Sequence, residues 1–264
     1  MDEKHNTYTL ITGASAGIGR AMAFECAGRG DNLLLIALDD GALPGVADEI
    51  RAQYGIAVHY LEIDLCRQDS PARVFQWVKK EGYRVRILIN NAGFGRGGLF
   101  ENISIEEYYS MMQLNNQAMV GLCYYFLPEL KEHPRAHILN MSSMEATLPL
   151  PYKAVYTGTK NFVYAFSLAL REELRRSNVR VTVLCPGPVL TNPSGLDRIK
   201  AHGRRARLLL AMPDEVARIA IRKMLKGSQV IIPGSTPLLI VRAMNLLPLS
   251  VKMRVLERVF RVYK

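Results

Sequence analysis

Cysteine is scarce in this sequence, and its four cysteines lie far apart along the chain. Cys26, Cys66, Cys123 and Cys185 each lie inside an apolar segment. A disulfide framework or a cysteine metal cluster needs closer or more regular spacing, so this pattern favours buried thiols in a reducing compartment. We expect neither disulfides nor a bound metal.

Long uncharged apolar runs are also missing. No stretch of 18 such residues is present, so the sequence predicts no membrane-spanning helix. The N-terminal segment is polar, reads MDEKHNTYTLITG, and lacks the pattern of a signal peptide. We therefore expect a cytoplasmic protein.

The charge is strongly basic, with 34 Lys and Arg against 24 Asp and Glu and a formal net charge of +10. Such an excess is typical of proteins that bind nucleic acid, anionic lipid or acidic substrates. Much of it falls in two late segments, residues 192–212 and 235–264, and no nucleic-acid-binding motif accompanies it. We therefore expect no nucleic-acid partner.

Short apolar segments alternate with helical patterns along most of the chain. Continuous apolar strands between helices are typical of parallel sheets covered on both faces. The sequence predicts one α/β domain over residues 1–264, a Rossmann-type, doubly wound sheet of about seven parallel strands with helices on both faces and a C-terminal helical extension. The predicted strands are 8–12, 32–38, 57–63, 85–90, 136–143, 179–187 and 228–234.

The first predicted strand ends in a glycine-rich turn, TGASAGIG, that leads into a helix. Ligands of doubly wound sheets bind beyond the carboxyl ends of the strands, and glycines there allow a pyrophosphate to approach the helix N-terminus. The spacing of Gly13, Gly17 and Gly19 is G-x3-G-x-G rather than G-x-G-x-x-G. A nucleotide site is the favoured interpretation, and a purely structural turn is the alternative.

Polar residues follow three further predicted strands: Asp64 after the third, NNAG at 90–93 after the fourth and NMSSMEA at 140–146 after the fifth. An aspartate at a strand end is often only a turn former. Two adjacent amides at a buried strand end need partners. On a later helix, Tyr156 and Lys160 lie four residues apart and thus on one face.

Taken in order, TG-x3-G-I-G, NNAG, a serine ahead of Y-x3-K, and PG followed by threonine resemble the short-chain dehydrogenase/reductase family. The match runs from about Thr7 to Thr191, taken as the cofactor-binding and catalytic core, residues 1–191. Spacing favours Ser143 over Ser142, and position favours Asn115 over Asn116. The resemblance implies Asn115, Ser143, Tyr156 and Lys160 as catalytic residues. It implies cofactor contacts by Gly13, Ser15, Gly17, Ile18, Gly19, Asp39, Asp64, Leu65, Asn91, Ala92, Gly93, Tyr156, Lys160, Pro186, Gly187 and Thr191.

The activity implied by this resemblance is an NAD(P)-dependent transfer of hydride between nicotinamide and a small-molecule carbonyl or secondary alcohol. Tyr156 would act as general acid or base. A free phenol has a pKa near ~10, and we expect the Lys160 ammonium, with the nicotinamide ring, to lower it. Ser143 would orient the carbonyl oxygen, and Asn115 would bind a water that connects Lys160 to solvent. The alternative is a dinucleotide-binding regulatory protein without catalysis, which need not keep all four residues.

The choice of cofactor depends on the end of the second strand. Ala37 and Leu38 occupy the positions where relatives carry an Asp for NAD or an Arg for NADP, and Asp39 and Asp40 follow. Two carboxylates would repel a 2′-phosphate, so we expect NAD rather than NADP, with NADP left open. The alternative is that both aspartates only begin a solvated turn.

The two basic segments have two interpretations each. Residues 192–212 form either a substrate lid over an anionic compound or, as we favour, a solvated helix face, with Glu145 and Tyr152 as further candidate pocket residues. Residues 235–264 read as a basic amphipathic extension that contacts an anionic membrane surface peripherally or, as we favour, packs on a partner subunit or on its own domain. The family usually dimerises through two long helices, here around 104–130 and 154–177, so we expect a homodimer.

Overall fold

The sheet has seven parallel strands in the order β3-β2-β1-β4-β5-β6-β7. The computed structural model describes residues 7–189, 211–234, 239 and 243–263. The strands are β1 (Thr7–Thr12), β2 (Asn32–Ala37), β3 (Val58–Glu62), β4 (Arg84–Asn90), β5 (Ala136–Met141), β6 (Val179–Leu184) and β7 (Val230–Ile231). The predicted doubly wound α/β fold is confirmed.

Helices cover both faces of the sheet and explain why its strands are mainly apolar. One core cluster joins the sheet to α1, α2 and α7, and the other joins it to α3, α5 and α6. In β2, residues 33–36 have no exposed surface because neighbouring positions alternate between these two clusters. The helices are α1 (Gly17–Ala27), α2 (Leu43–Tyr54), α3 (Ser70–Lys80), α4 (Ile105–Met112), α5 (Met119–Leu130), α6 (Ala154–Glu173), α7 (Pro213–Leu225) and α8 (Leu249–Phe260).

The long helix predicted over 104–132 is not uniform. It begins as expected at Ser104, whose Oγ accepts a hydrogen bond from the Glu107 amide at 3.2 Å. Between α4 and α5, however, Gln113–Ala118 forms a π-helix. Such wide turns are rare and are often found at functional sites. Here the π-helix contains Asn115, a predicted catalytic residue.

The strand order reverses between β1 and β4, and the loops that follow these two strands meet at that point. A Cβ on Gly13 would lie 3.0 Å from the Ala92 Cα, so the loops are in contact. In doubly wound folds this reversal marks the ligand-binding crevice. The fold thus brings the glycine turn and the NNAG segment to one edge.

The C-terminal segment folds back onto its own domain. Leu256 of α8 is 4% exposed and packs with Leu148 and Leu150, in the loop between β5 and α6. A 3-10 turn, Arg261–Tyr263, follows α8. The favoured interpretation, packing on the chain's own domain, agrees with this face of the helix. Among the described residues no helix is long and apolar enough to cross a membrane.

Candidate active site

The glycine turn is built around positions that exclude side chains. Gly13 and Gly17 have φ values of 65° and 56°, a region that residues with a Cβ rarely adopt. A Cβ on Gly19 would lie 2.0 Å from the Gly13 carbonyl oxygen. Helix α1 begins at Gly17, and the side chain of its N-cap residue, Ala16, forms no capping hydrogen bond. The first amides of α1 are therefore available to an anion.

Thr12 and Asn91 fasten the glycine turn to the loop after β4. The Thr12 hydroxyl oxygen accepts hydrogen bonds from the amides of Asn91 and Ala92, both at 3.0 Å. The Asn91 side-chain amide donates to the carbonyl oxygens of Thr12 at 2.9 Å and Gly13 at 3.2 Å. Asn91 therefore joins the end of β1 and the glycine turn to the loop after β4 through its Nδ2. The sequence did not single out Thr12.

The first asparagine of the NNAG segment, Asn90, belongs to a chain of buried hydrogen-bonded side chains. Asn90 donates to Asn140 at 2.9 Å, and Asn140 donates to Ser167 at 3.0 Å. All three side chains are at most 5% exposed. The chain links β4, β5 and α6 and gives the Asn90 Nδ2 and both polar atoms of Asn140 a partner, whereas the Asn90 Oδ1 has none among the described residues.

At the end of β2, Asp40 rather than Asp39 joins the glycine turn. The Ser15 hydroxyl donates to the Asp40 carboxylate at 3.1 Å, and the Ala42 amide donates to its other oxygen at 3.0 Å. The sequence assigned the cofactor contact to Asp39, and that assignment stays a prediction. Both interpretations of this segment have support, because Asp40 forms a turn and also contacts the cofactor loop.

After β3, the predicted pair Asp64 and Leu65 separates into an exposed and a buried residue. Asp64 is exposed and accepts a hydrogen bond from the Cys66 amide at 2.8 Å, which makes it a turn former. The Leu65 side chain is 5% exposed and belongs to the core. Only the backbone of Leu65 is free to face a nucleotide.

Lys160 lies almost fully buried behind the loop after β4. Its ammonium donates to the Met141 carbonyl oxygen at 3.1 Å, and no carboxylate of the described residues pairs with it. A Cβ on Gly93 would lie 3.2 Å from Lys160 Nζ and 2.7 Å from Asn115 Oδ1. Glycine at this position lets the loop pass close to both side chains. Burial lowers the pKa of Lys160 to about 8.

The π-helix turns Asn115 toward the same loop. Its Oδ1 accepts from the Phe94 amide at 3.1 Å, and its Nδ2 donates to the Phe94 carbonyl oxygen at 2.9 Å and to Thr159 Oγ1 at 3.0 Å. Asn116 instead donates to the Thr159 carbonyl oxygen at 2.9 Å. Asn115 therefore ties the loop to α6. The choice of Asn115 over Asn116 and the expected water contact both stay predictions.

Ser142 and Ser143 point to different partners. The Ser142 hydroxyl donates to the Lys160 carbonyl oxygen at 2.7 Å, which makes it structural. The Ser143 hydroxyl lies close enough to the Tyr156 phenol to lower its pKa. Its Oγ accepts a hydrogen bond from the Glu145 amide at 3.1 Å. The preference for Ser143 over Ser142 stays a prediction that this difference supports.

The protein's own groups raise the pKa of Tyr156 above its ordinary value. Burial is the main cause, the Glu145 carboxylate adds to it, and the nearby Ser143 hydroxyl opposes it. The expectation that Lys160 lowers this pKa is not met by the protein alone. The Lys160 ammonium lies 5.9 Å from the centre of the Tyr156 ring, and burial disfavours its charged form.

A second lysine, which the sequence gave no reason to select, lies on the outer side of Tyr156. Lys153 pairs with Glu145 at 3.1 Å, and the two side chains are 15% and 18% exposed. Its ammonium lies 5.8 Å from the centre of the Tyr156 ring and 4.8 Å from that of Tyr263. The C-terminal segment thus reaches the surroundings of Tyr156, which local spacing cannot reveal.

The loop after β6 is described only in its first part. The Pro186 carbonyl oxygen accepts from the Met144 amide at 2.9 Å, which places Pro186 and Gly187 beside the serine loop. Thr191 and nearly all of the predicted lid, residues 192–212, lie outside the described residues.

A model of the short chain dehydrogenase family matches residues 7–198. The chain belongs to the short-chain dehydrogenase family. Among similar short-chain dehydrogenases of known structure, one from Sphingobium yanoikuyae in complex with NADPH is 30% identical, with a TM-score of 0.79 over 90% of this chain and 91% of that one. Another, from Burkholderia phymatum in complex with NAD, is 26% identical, with a TM-score of 0.80 over 93% and 95%.

A curated relative is the very-long-chain 3-oxoacyl-CoA reductase of Laccaria bicolor, 30% identical over 83% of this chain and 64% of the reductase. The chain spans less than two thirds of the length of the curated relatives it matches. Membership of the short-chain dehydrogenase family and the fold are therefore established, whereas the activity has to be argued from the site.

Proposed function

We propose that this short-chain dehydrogenase is a nicotinamide-dependent oxidoreductase that acts on a small-molecule carbonyl or secondary alcohol. The observation that carries the proposal is the convergence of Asn115, Ser143, Tyr156 and Lys160 beside the glycine turn. Relatives named as reductases and dehydrogenases support it. The regulatory alternative is not favoured, because it gives no reason for a phenol and an amine to meet at a nucleotide crevice.

The residues at the crevice fit a dinucleotide. A Cβ at Gly19 would collide with the Gly13 carbonyl oxygen, so glycine lets the turn close tightly against the start of α1, where no described side chain caps the first amides. Gly13, Ser15, Gly17, Ile18 and Gly19 would hold the pyrophosphate, and Lys160 the nicotinamide ribose. Asp64, Leu65, Asn91, Ala92, Gly93, Pro186, Gly187 and Thr191 keep their proposed cofactor contacts. When bound, the cofactor supplies or accepts the hydride.

In the proposed reduction, Tyr156 donates its phenolic proton to the substrate oxygen while Ser143 hydrogen-bonds the same oxygen. The raised pKa of Tyr156 keeps the phenol protonated at neutral pH, which is the form that donates a proton in reduction. A Lys160 pKa of about 8 lets the amine exchange a proton close to neutral pH. Lys160 would then return a proton to Tyr156, with Asn115 holding the adjacent loop in place.

The test is nicotinamide absorbance with a panel of aldehydes, ketones and alcohols, for the wild type and Tyr156→Phe. Removal of the hydroxyl is expected to reduce kcat by about a thousandfold, within the range for a general acid. Tyr164→Phe, a change of the same kind on the same helix, is the matched control and should keep wild-type turnover. Equal turnover by Tyr156→Phe and the wild type would sink the proposal.

We further propose NAD as the preferred cofactor. Asp40 hydrogen-bonds Ser15 of the glycine turn, so its carboxylate and that of the neighbouring Asp39 lie where a 2′-phosphate would be repelled. The two similar structures contain NADPH in one case and NAD in the other. A kcat/KM for NADPH equal to or above that for NADH would overturn this choice.

The exposed aromatic side chains of α4, α5 and α6 support a homodimer. Tyr109 is 59% exposed, Tyr124 74% and Phe162 45%, a large apolar area for helices that otherwise pack well. We propose that a second copy covers them. Light scattering should give the mass of a dimer, and Tyr124→Lys combined with Phe162→Lys should give that of a monomer.

We propose a single cytoplasmic domain with residues 235–264 as its C-terminal extension. The outer side of α8 supports peripheral contact with anionic membranes. Val251, Val255 and Val259 are exposed there, and Arg254 and Arg258 flank them. Sedimentation with phosphatidylserine vesicles should retain the wild type and release Arg254→Glu combined with Arg258→Glu. Equal retention on uncharged vesicles would contradict this contact.

A further inference from the structure

The loop after β4 runs beneath two tyrosine rings that come from distant parts of the chain. A Cβ on Gly95 would lie 2.6 Å from Cδ2 of Tyr156, and a Cβ on Gly97 would lie 2.7 Å from Cδ1 of Tyr263. Because the two glycines are two residues apart, the rings of Tyr156 and Tyr263 lie side by side along this loop. Tyr263 therefore borders the proposed proton donor.

The Lys153 ammonium is shared by the same two rings and a third. It lies 5.3 Å from the ring centre of Phe260, in addition to its approaches to Tyr156 and Tyr263. Phe260 and Tyr263 stack, with ring centres 6.1 Å apart and planes 16° from parallel. Since Glu145 pairs with Lys153, the cluster presents aromatic surface with little net charge.

The C-terminal segment is held in this place by contacts away from the rings. The Tyr152 hydroxyl donates to the Glu257 carboxylate at 3.1 Å, and the Gly98 amide donates to the Tyr152 carbonyl oxygen at 2.8 Å. Tyr152 adopts a φ of 65°, which is unfavourable for a residue with a side chain and persists only where the surroundings enforce it. Leu256 adds its apolar contact.

We propose that Tyr263, together with Phe260, forms one wall of the substrate site and selects uncharged carbonyl compounds with a flat apolar body. The inference rests on the proposed oxidoreductase function and adds a specificity-determining residue to it. A carbonyl oxygen bound by Ser143 and Tyr156 leaves the rest of the molecule beside the aromatic wall. An anionic body gains no free cation there, because Lys153 is already paired with Glu145.

The test compares acetophenone, acetone and pyruvate as substrates for the wild type, Tyr263→Ala and Tyr263→Phe. In Tyr263→Ala, the ratio of kcat/KM for acetophenone to that for acetone should fall by at least about tenfold, mainly through KM, while NADH affinity stays constant. Tyr263→Phe keeps the ring and should keep the ratio. The wild type should prefer acetophenone to pyruvate.

The matched control is Tyr60→Ala, which removes a ring on β3 that lies 6.0 Å from the Arg51 guanidinium and should leave the ratio unchanged. The same comparison can be made without turnover by adding Tyr263→Ala to Tyr156→Phe. Quenching of bound NADH fluorescence by acetophenone then reports binding of the ketone with and without the Tyr263 ring. An unchanged ratio and unchanged quenching in Tyr263→Ala, or an equal loss for all three substrates together with lost NADH affinity, would overturn the wall.

These results are separable from those that bear on the proposed function. An inactive Tyr156→Phe together with an unchanged Tyr263→Ala ratio overturns the aromatic wall alone. A Tyr156→Phe enzyme as active as the wild type, or a wild type that reduces no carbonyl and binds no ketone, overturns the oxidoreductase and the wall together.

Discussion

The proposed site has a cofactor side and a substrate side, and the two are built from different kinds of residue. The cofactor side consists of backbone and small residues, such as Gly13, Gly19 and Thr12, that follow β1 and β4. The substrate side consists of large side chains, such as Lys153 and Tyr263, that come from the α6 entrance and the C-terminus. Tyr156 lies between them. On the cofactor side, close backbone approaches leave no room for larger side chains. On the substrate side, large side chains contact one another.

This difference predicts different responses to mutation. The cofactor side should tolerate almost no added atoms, because its loops already touch. The substrate side should tolerate exchange of side chains with altered selectivity, because its residues pack on one another near the surface. Four changes test this contrast, in order of decreasing effect.

Gly19→Ala should have the largest effect. The added Cβ would lie 2.0 Å from the Gly13 carbonyl oxygen and 2.4 Å from Asn91 Nδ2, so the loops must separate. We expect NADH affinity to fall by roughly a hundredfold or more, about 3 kcal/mol. Fluorescence titration measures it. Gly45→Ala in α2, where the Cβ would meet nothing within 4 Å, is the control and should bind NADH normally.

Leu256→Ala should release the C-terminal segment while leaving NADH binding intact. Removal of a buried leucine side chain from this small cluster should weaken docking by about 2–4 kcal/mol. Limited proteolysis with mass spectrometry should then find cleavage in α8. Leu246→Ala, at a leucine that is 86% exposed, should stay as resistant as the wild type. Weaker NADH binding in Leu256→Ala would contradict the expectation that the C-terminal segment is independent of the cofactor side.

Glu145→Gln should change the pH dependence of catalysis. The Glu145 carboxylate raises the pKa of Tyr156, so its neutralisation lowers that pKa. The phenol then loses its proton at lower pH, and reduction, which needs the phenol, should decline at lower pH than in the wild type. Oxidation, which needs the phenolate, should begin at lower pH. A pH profile of kcat in both directions measures the shift, and a shift to higher pH would contradict the assignment.

Asp40→Asn should have the smallest effect. It removes one exposed negative charge beside Ser15 and keeps the side chain's size. Exposed charges contribute about 1 kcal/mol or less, so kcat/KM for NADPH should rise by about two- to fivefold and that for NADH should hardly change. Asp48→Asn, at an exposed aspartate on α2, should leave both values unchanged.

The sequence predicts the cofactor side well for a physical reason. Glycine spacing reports directly where a backbone must bend or approach another, so Gly13, Gly17 and Gly19 carry their geometry locally. The strands were predictable because a sheet covered on both faces requires continuous apolar runs. Strand ends were less certain: Leu38 was placed in β2 and lies beyond it, 58% exposed.

The substrate side was less predictable because its contacts join residues far apart in the chain. Tyr152 and Glu257 are 105 positions apart, and nothing near either residue names the other. The raised pKa of Tyr156 depends on burial and on Glu145, whereas the sequence displays only the lysine one helical turn away. The π-helix around Asn115 was also missed, since apolar periodicity does not register one extra residue in a turn.

That extra residue can be removed without disturbing the rest of the helix. A π-helical turn closes one residue later than an α-helical turn, so deletion of one residue within 113–118 would restore α-helical hydrogen bonding and leave α4 and α5 in nearly the same relative orientation. The residues inside the turn would change direction instead, and Asn115 would leave the Phe94 loop. The outward aromatic surface that carries Tyr109 should therefore survive a deletion that displaces the Asn115 amide.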